Sequence, residues 1–476
     1  MKLNAQLKED TGYSWVMARM EPASPFGHAL VRTPRWYGPG EETQLEEELS
    51  RVEALRTLLD GGELALDSIT HILSEFHDIR NSLKRPTNAP MDEVELFEVK
   101  HFLIHLERLA QAYACIPALE GLEIRPMTES LNLLDPSGRR LPAFSVENAF
   151  EPALERVREE KALVEGLLRQ TEKKGRDDLM ARRSELVRKE DRLELEARKR
   201  LTMALLRERD TFLASMEAIG RLDLLLAKAR LARRFYCCRP EIVDKPKVVA
   251  VDMVHPEVAD HLQERGGSFT SVSITLERGA TVITGANMGG KSVSMKSLTL
   301  NLLLTQTGFF AFAGSFSAPL FDSVSLICTD RQSVEQGLSS FGAEVAALGD
   351  VLREEKGKFF YIALDEFARG TNPREGAALA KALVEYLGRL NCVALMTTHY
   401  DGVSDAARRH YRVAGLGALD TAAIRKDEAP LDRLSRLMDY HLIEAEPGEP
   451  CPRDALRVCR LLDLDPELME IFSKNS

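Results

Sequence analysis

Along most of the first 245 positions apolar residues recur at steps of three and four, the spacing that gathers them on one face of an α-helix. Over residues 41–72 that face is Leu45, Leu49, Val52, Leu55, Leu58 and Leu59. A second such stretch spans about 91–114, behind the turn-rich segment 84–90. The period breaks over 122–146, where Asp135-Pro136-Ser137-Gly138 is a strong turn signal, so a small β-hairpin is expected there. Past a proline-containing boundary at 239–247 the pattern changes to short apolar runs at 248–251, 271–276, 280–284, 324–329, 359–364 and 393–397, several separated by helical stretches. That alternation predicts an α/β domain with a mostly parallel sheet. The expected fold class is α + α/β, with a helical domain over 1–245 and an α/β domain over 246–476.

Charge sharpens one part of this picture. Over 151–210, 17 Lys/Arg and 15 Asp/Glu fill more than half of the positions. Leu154, Val157, Lys161, Val164 and Leu168 keep alternating three- and four-residue steps, and Leu179, Leu186 and Leu193 recur every seven. With Lys174-Gly175-Arg176 between the arms, this predicts a long antiparallel helical hairpin over about 151–236, a coiled coil with a thin apolar seam. Its second arm, from Asp177 to Tyr236, would reach about 90 Å if unbroken. It reads either as a lever that reaches a partner or as a solvated spacer. Its nearly cancelling charges do not supply the phosphate neutralisation that dominates DNA affinity.

The whole chain agrees with that local balance. A net charge of −11 disfavours a simple basic nucleic-acid binder, and 44% hydrophobic residues exclude general disorder. No apolar run is long enough to span a membrane, and the first ten residues lack the apolar core of a signal peptide. The seven cysteines are scattered without a CxxC pair and read as reduced thiols. A cytoplasmic protein without a membrane partner is expected.

The chemistry concentrates in the second half. Gly285-Ala286-Asn287-Met288-Gly289-Gly290-Lys291-Ser292 fits G-x4-G-K-[ST], between the strand 281–284 and a helix that starts at Val293. Its glycines let backbone N–H groups turn toward phosphate oxygens, and the following helix adds its positive end. Lys291 is expected on the β- and γ-phosphates and the Ser292 hydroxyl on Mg²⁺. From Asp365, 74 residues beyond Lys291, an apolar strand ends in Asp365-Glu366. Asp365 is expected in the Mg²⁺ shell, and Glu366 as the group that orients or deprotonates the attacking water. His399 ends the next strand, in place to sense the γ-phosphate. His101 and His105 are four apart on one helix, but no third metal ligand lies near them in sequence, so exposed or satisfied histidines are expected. The adjacent Cys237 and Cys238 are assigned to packing.

Together these residues resemble the MutS family of ATPases, the ABC-like proteins of mismatch repair and their relatives. The stretch from Thr284 to Ser292 is close to the family's TGPNMGGKS, with Ala286 in place of proline. Gly337-Leu338-Ser339-Ser340-Phe341 with Glu344 resembles its S-T-F-x-x-E signature, Asp365-Glu366-Phe367-Ala368-Arg369-Gly370-Thr371 its D-E-x-x-R-G-T, and Thr398-His399-Tyr400 its T-H-Y. Ile219-Gly220-Arg221-Leu222-Asp223 is similar to the family's helix before the ATPase, and Pro25-Phe26-Gly27 weakly to the opening of its core domain. The resemblance implies Mg²⁺-dependent ATP hydrolysis at two sites shared across a homodimer, or a heterodimer with a related MutS-like subunit. Asn287, Met288, Gly289, Gly290 and Val293 would join Gly285, Lys291 and Ser292 in holding the nucleotide. Ser339 would contact the γ-phosphate held by the partner subunit's Lys291. A chromosome-organising ABC ATPase places its coil between the two nucleotide motifs, whereas here the coil precedes Lys291.

Departures from the family pattern shape the functional expectation. The core resemblance starts near residue 1, leaving no room for mismatch-reading and connector domains. A short turn joins the hairpin arms where DNA-binding relatives insert a clamp, and no nuclease tail is expected beyond residue 476. Three readings follow. One is a MutS-like ATPase whose client is a protein; short relatives of this kind are associated with reactivating cobalamin-dependent aminomutases. The second is a mismatch-repair or recombination homologue that acts on DNA through a partner. The third is a non-hydrolysing nucleotide-gated scaffold, disfavoured by intact Lys291, Ser292, Asp365 and Glu366. The protein client is preferred.

Overall fold

A computed structural model describes residues 4–62, 64–86, 89–170, 175–285, 290–328, 340–416, 437–446, 448–449 and 455–475. Helices dominate up to Arg234 and a mixed α/β arrangement with parallel strands follows. Compactness divides the chain differently from composition. One unit is Glu21–Thr33 with Ala54–Ala227, and the other is Met1–Met20 and Pro34–Glu53 with Lys228–Ser476. The early segments join the second unit through buried polar contacts: the Tyr13 hydroxyl donates to Thr307 Oγ1 at 3.3 Å, and Lys228 Nζ donates to Glu48 at 2.8 Å.

The helical unit contains α1 (Pro25–Arg32), α2 (Glu93–Tyr113), α3 (Thr128–Leu134), α4 (Ala153–Gln170), α5 (Arg176–Arg207) and most of α6 (Arg209–Arg234). A capping box starts α2: Asp92 accepts from the Glu95 amide and Glu95 accepts from the Asp92 amide. The hairpin expected over 122–146 is replaced by α3. Leu131 and Leu134, three apart, are both buried, so helical spacing prevails over a run too short for alternation. The turn itself is present, with the Gly138 amide bonded to Asp135 O at 2.9 Å.

Between α4 and α5, Val157, Val164 and Leu186 form a thin buried seam against which Leu168, Leu179 and Leu193 pack. Ion pairs flank it in opposing order along the two helices: Arg158 with Glu190 and Glu194 at 2.9 and 2.8 Å, and Glu165 with Arg183 at 2.8 Å. Lys161, expected in the seam, instead pairs with Glu190. The second arm is not one unbroken helix. At Glu208 the amide bonds back three residues to Leu205 O at 3.0 Å, and the α-helical ladder restarts at Arg209.

The two sequence motifs that lie farthest apart in this unit meet. Asp223 on α6, 2% exposed, accepts from Ala23 N at 2.9 Å, Ser24 N at 2.7 Å and Ser24 Oγ at 2.6 Å. Ser24 in turn caps α1 by accepting from the Gly27 amide. Gly27 is required by this close approach, because a Cβ there would lie 2.2 Å from Asp223 Oδ2. Asp223→Ala leaves two buried donors of Ser24 and the part-buried Ala23 amide unpaired and is expected to lower unfolding stability by about 2–4 kcal/mol. The midpoint of urea unfolding measures this; an unchanged midpoint would remove Asp223 as the anchor of α1.

In the α/β unit the strands are β1 (Glu241–Ile242), β2 (Lys247–Met253), β3 (Val272–Glu277), β4 (Gly279–Thr284), β5 (Ser315–Ala318), β6 (Ser323–Ile327), β7 (Phe360–Asp365), β8 (Cys392–Thr397), β9 (Arg409–Gly415) and β10 (Asp439–Ala445). They form a four-stranded sheet, β1-β5-β2-β3, and a six-stranded sheet, β10-β9-β4-β8-β7-β6. The larger sheet is parallel except for β10. Every residue of β4 and β8 is buried, as expected of central parallel strands covered on both faces. The helix α7 (Lys291–Thr305) is buried almost all round, which accounts for its weak apolar face. Several of its buried polar groups are bonded: Thr299 Oγ1 donates to Met295 O, and Asn301 accepts from Phe312 N at 2.7 Å while donating to Ser297 O, whereas Thr305 Oγ1 at its C-terminal end has no partner among the described residues.

Candidate nucleotide-binding site

Parallel register brings the chemistry to one edge of the larger sheet. Ile283 on β4 and Asp365 on β7 both lie opposite Thr397 on the intervening β8, so the carboxyl ends of three strands finish in one row. In open α/β sheets this is the edge where ligands bind. From β4 the chain leaves through Gly285, at φ 138°, and returns at Gly290, at φ 80°, directly before α7. Both conformations favour glycine, and space demands it too: a Cβ at Gly285 would meet Val413 at 3.1 Å, and one at Gly290 the Tyr440 ring at 3.2 Å. Ala286, Asn287, Met288 and Gly289, assigned to the phosphate loop from the sequence, lie outside the described residues, as does Ser339. Val293 is half-buried in the first turn of α7.

Lys291 is 4% exposed; its Nζ donates to Gly285 O at 2.8 Å and lies 3.4 Å from Glu366 Oε1. The ammonium therefore sits between Gly285 O and the Glu366 carboxylate. Ser292 Oγ donates to Asp365 Oδ1 at 2.8 Å, and Thr397 Oγ1 donates to the same oxygen at 2.7 Å. The Glu366 amide donates to Thr397 Oγ1 at 2.9 Å, so one threonine fixes both acidic residues. Glu366 Oε2 pairs with Arg369 at 2.6 Å. His399 is exposed beside the Tyr400 ring, and its partial burial holds the imidazole below its usual pKa although Glu366 opposes this. That leaves it neutral near pH 7.

The loop after β7 is held in an uncommon shape. Glu366 and Ala368 adopt φ of 47° and 66°, in the left-handed region. The Ala368 amide donates to Glu344 Oε2 at 3.0 Å, and Ala368 O accepts from the Tyr400 hydroxyl at 3.1 Å. Glu344 lies in the first turns of α8 (Ser340–Glu354). Gly376 makes room for this clamp, since a Cβ there would lie 2.6 Å from the Tyr400 hydroxyl.

The structure thus gathers Gly285, Gly290, Lys291, Ser292, Asp365, Glu366 and Thr397 at one place. Thr397 ends the apolar run 393–397, and Arg369 and Glu344 lie within the family-like motifs; pairwise spacing alone assigns none of the three a role. His410, buried on β9, was missed entirely: its Nε2 is 2.8 Å from Thr284 Oγ1, behind the turn. A single histidine in a strand interrupted by Arg409 and Arg412 carries no signal in the sequence.

The donor set fits a hard divalent cation. Cis ligands of an octahedral Mg²⁺ at about 2.1 Å stand about 3 Å apart, which matches the Ser292–Asp365 separation of 2.8 Å. Among the described residues no helix is long and apolar enough to cross a membrane.

Comparison with known proteins converges on the same region. Residues 281–431 match the family model described as MutS domain V. The chain is 33% identical to the endonuclease MutS2 of Thermomicrobium roseum over 278 residues, 56% of this chain and 33% of that protein. It is 29% identical to the protein of that name from Symbiobacterium thermophilum, over 57% of this chain and 32% of the relative. With the one from Geobacillus kaustophilus it shares 30% identity, over 54% and 30%. The chain thus spans about a third of the length of these curated relatives.

Proposed function

We propose that this chain, which carries a MutS-family ATPase domain, hydrolyses ATP with Mg²⁺ and uses the cycle to move its helical hairpin on a client. The observation that carries the reading is the convergence of Lys291, Ser292, Asp365 and Glu366 within hydrogen-bond or ion-pair reach at one sheet edge. The loop from Gly285 to Val293, with Asn287, Met288, Gly289 and Gly290, would wrap the phosphates. Lys291 is held by Gly285 O and Glu366, so an entering phosphate competes for the ammonium and frees the Glu366 carboxylate to take the proton of an attacking water. Ser292 and Asp365 would hold Mg²⁺, which neutralises charge on the phosphates when bound. His399 sits where its neutral imidazole would follow the γ-phosphate.

By likeness to the family, two such sites complete each other across a homodimer or a heterodimer, with Ser339 reaching the phosphate held opposite. Residues 246–476 would form the motor and 1–245 the region that delivers its motion, with the hairpin over about 151–236 as the lever, working in the cytoplasm. The preferred client is a protein, with a cobalamin-dependent aminomutase the first to test. Support comes from the hairpin's cations: Arg158, Lys161, Arg182 and Arg183 pair with glutamates of the same hairpin, so these positive charges are already neutralised. The name endonuclease MutS2 carried by the relatives favours a second reading, in which the client is DNA.

ATP turnover measured with an inactivated aminomutase, homoduplex DNA and mismatched DNA separates the two. Stimulation by the mutase alone is expected, and stimulation by mismatched DNA alone would replace the protein client with DNA.

A further inference from the structure

The fold of the helical unit supplies what sequence spacing lacked. His101 and His105 lie one turn apart on α2, and Glu75, which follows the helix Leu64–Ser74, is brought beside them. One ligand atom from each lies within 4.8 Å of the other two. We propose that Glu75, His101 and His105 form a binding site for a first-row divalent cation of the Zn²⁺ type. This is independent of the nucleotide site.

Three observations carry it. His105 Nδ1 is 2.8 Å from the His101 carbonyl, a contact that only the protonated nitrogen can make, so Nε2 keeps its lone pair. A second ring N–H bonded to a backbone carbonyl is the usual way a metal-binding histidine is oriented. His101 Nδ1 is buried and has no hydrogen-bond partner, an unpaid polar burial unless a ligand takes it. The Glu75 carboxylate, half-buried, takes no hydrogen bond or ion pair among the described residues.

Burial lowers the pKa of both imidazoles, for His101 with the help of His105 and His77, while for His105 the hydrogen bond to the His101 carbonyl opposes it. Phe97 and Phe76 edge the cluster at 5.8 and 6.2 Å from the His101 and His105 rings. His77 stacks on His101 and pairs with Glu98 at 2.7 Å, outside the triad. Two imidazoles and one carboxylate make a three-protein-ligand set that leaves a position for water. Ligand atoms around a tetrahedral Zn²⁺ stand about 3.3 Å apart, so the cluster must tighten; rotation of Glu75, at the end of its helix, supplies the movement.

The test uses the full chain, stripped with a chelator and titrated with Co²⁺ in the absence of nucleotide. One Co²⁺ per chain should give visible absorption of low-coordinate type, without a thiolate charge-transfer band, and Zn²⁺ should abolish it by displacement. Glu75→Gln and His101→Gln should each weaken binding by at least about 10–100-fold, with circular dichroism unchanged, whereas Asp365→Asn should leave the spectrum intact. Zn²⁺ should raise the Tm of the wild-type chain and not of the two ligand variants. Absence of the visible spectrum, or the same spectrum in both ligand variants, overturns the site.

Discussion

Lys291→Ala should lower ATP turnover by on the order of 10²–10³-fold, the scale of removing a preorganised donor from charge that develops in the transition state. Lys291 is the buried cation of the site, poised between Gly285 O and Glu366. Alanine deletes that charge while Glu366 keeps its pair with Arg369 and Asp365 keeps Ser292 and Thr397. The sheet edge should therefore survive, and the melting temperature serves as the control. Steady-state phosphate release with saturating Mg²⁺-ATP measures the loss. Wild-type turnover in a folded Lys291→Ala protein would refute hydrolysis at this site.

Glu366→Gln should give an effect of similar size and different kind. The amide retains the shape of the side chain and can no longer accept a proton, so turnover should fall by about 10²–10⁴-fold while ATP affinity changes little. Bound ATP then persists, and the chain should accumulate as a nucleotide-bound dimer in size-exclusion chromatography. Lys291→Ala, which weakens the hold on the phosphates, should not accumulate that species. Equal loss of affinity in both variants would instead assign Glu366 to binding and leave the proton to another group.

Both predictions rest on residues legible in the sequence because their spacing is local. Gly285 to Ser292 and Asp365-Glu366 are short motifs, and the strands that carry them are short apolar runs. The structure places β8 between β4 and β7, an order that sequence succession conceals because β8 follows both in the chain. That order makes Thr397 the residue that touches both acidic groups. The strands β9 and β10 are not legible as apolar runs because polar and charged residues interrupt them. Helix α3 stands where a hairpin is expected because Asp135-Pro136-Ser137-Gly138 marks a turn without saying what precedes it. The break at Glu208 left no proline or glycine to announce it, and Glu75 is 26 residues from His101, beyond the reach of any spacing rule.

The clamp on Ala368 has a thermodynamic consequence. Left-handed backbone at a residue with a Cβ costs on the order of 1–2 kcal/mol, and Glu344 and Tyr400 offset this for Ala368 from outside the loop. The geometry of Glu366 is thus conditional on the position of α8, whose first turns follow the signature segment. Any event that shifts α8 changes the free energy of the loop bearing Glu366. By linkage, any ligand whose affinity depends on Glu366 must bias α8 by the same amount. A double-mutant cycle between positions 344 and 366, read in nucleotide affinity, would express that shared dependence as one coupling energy.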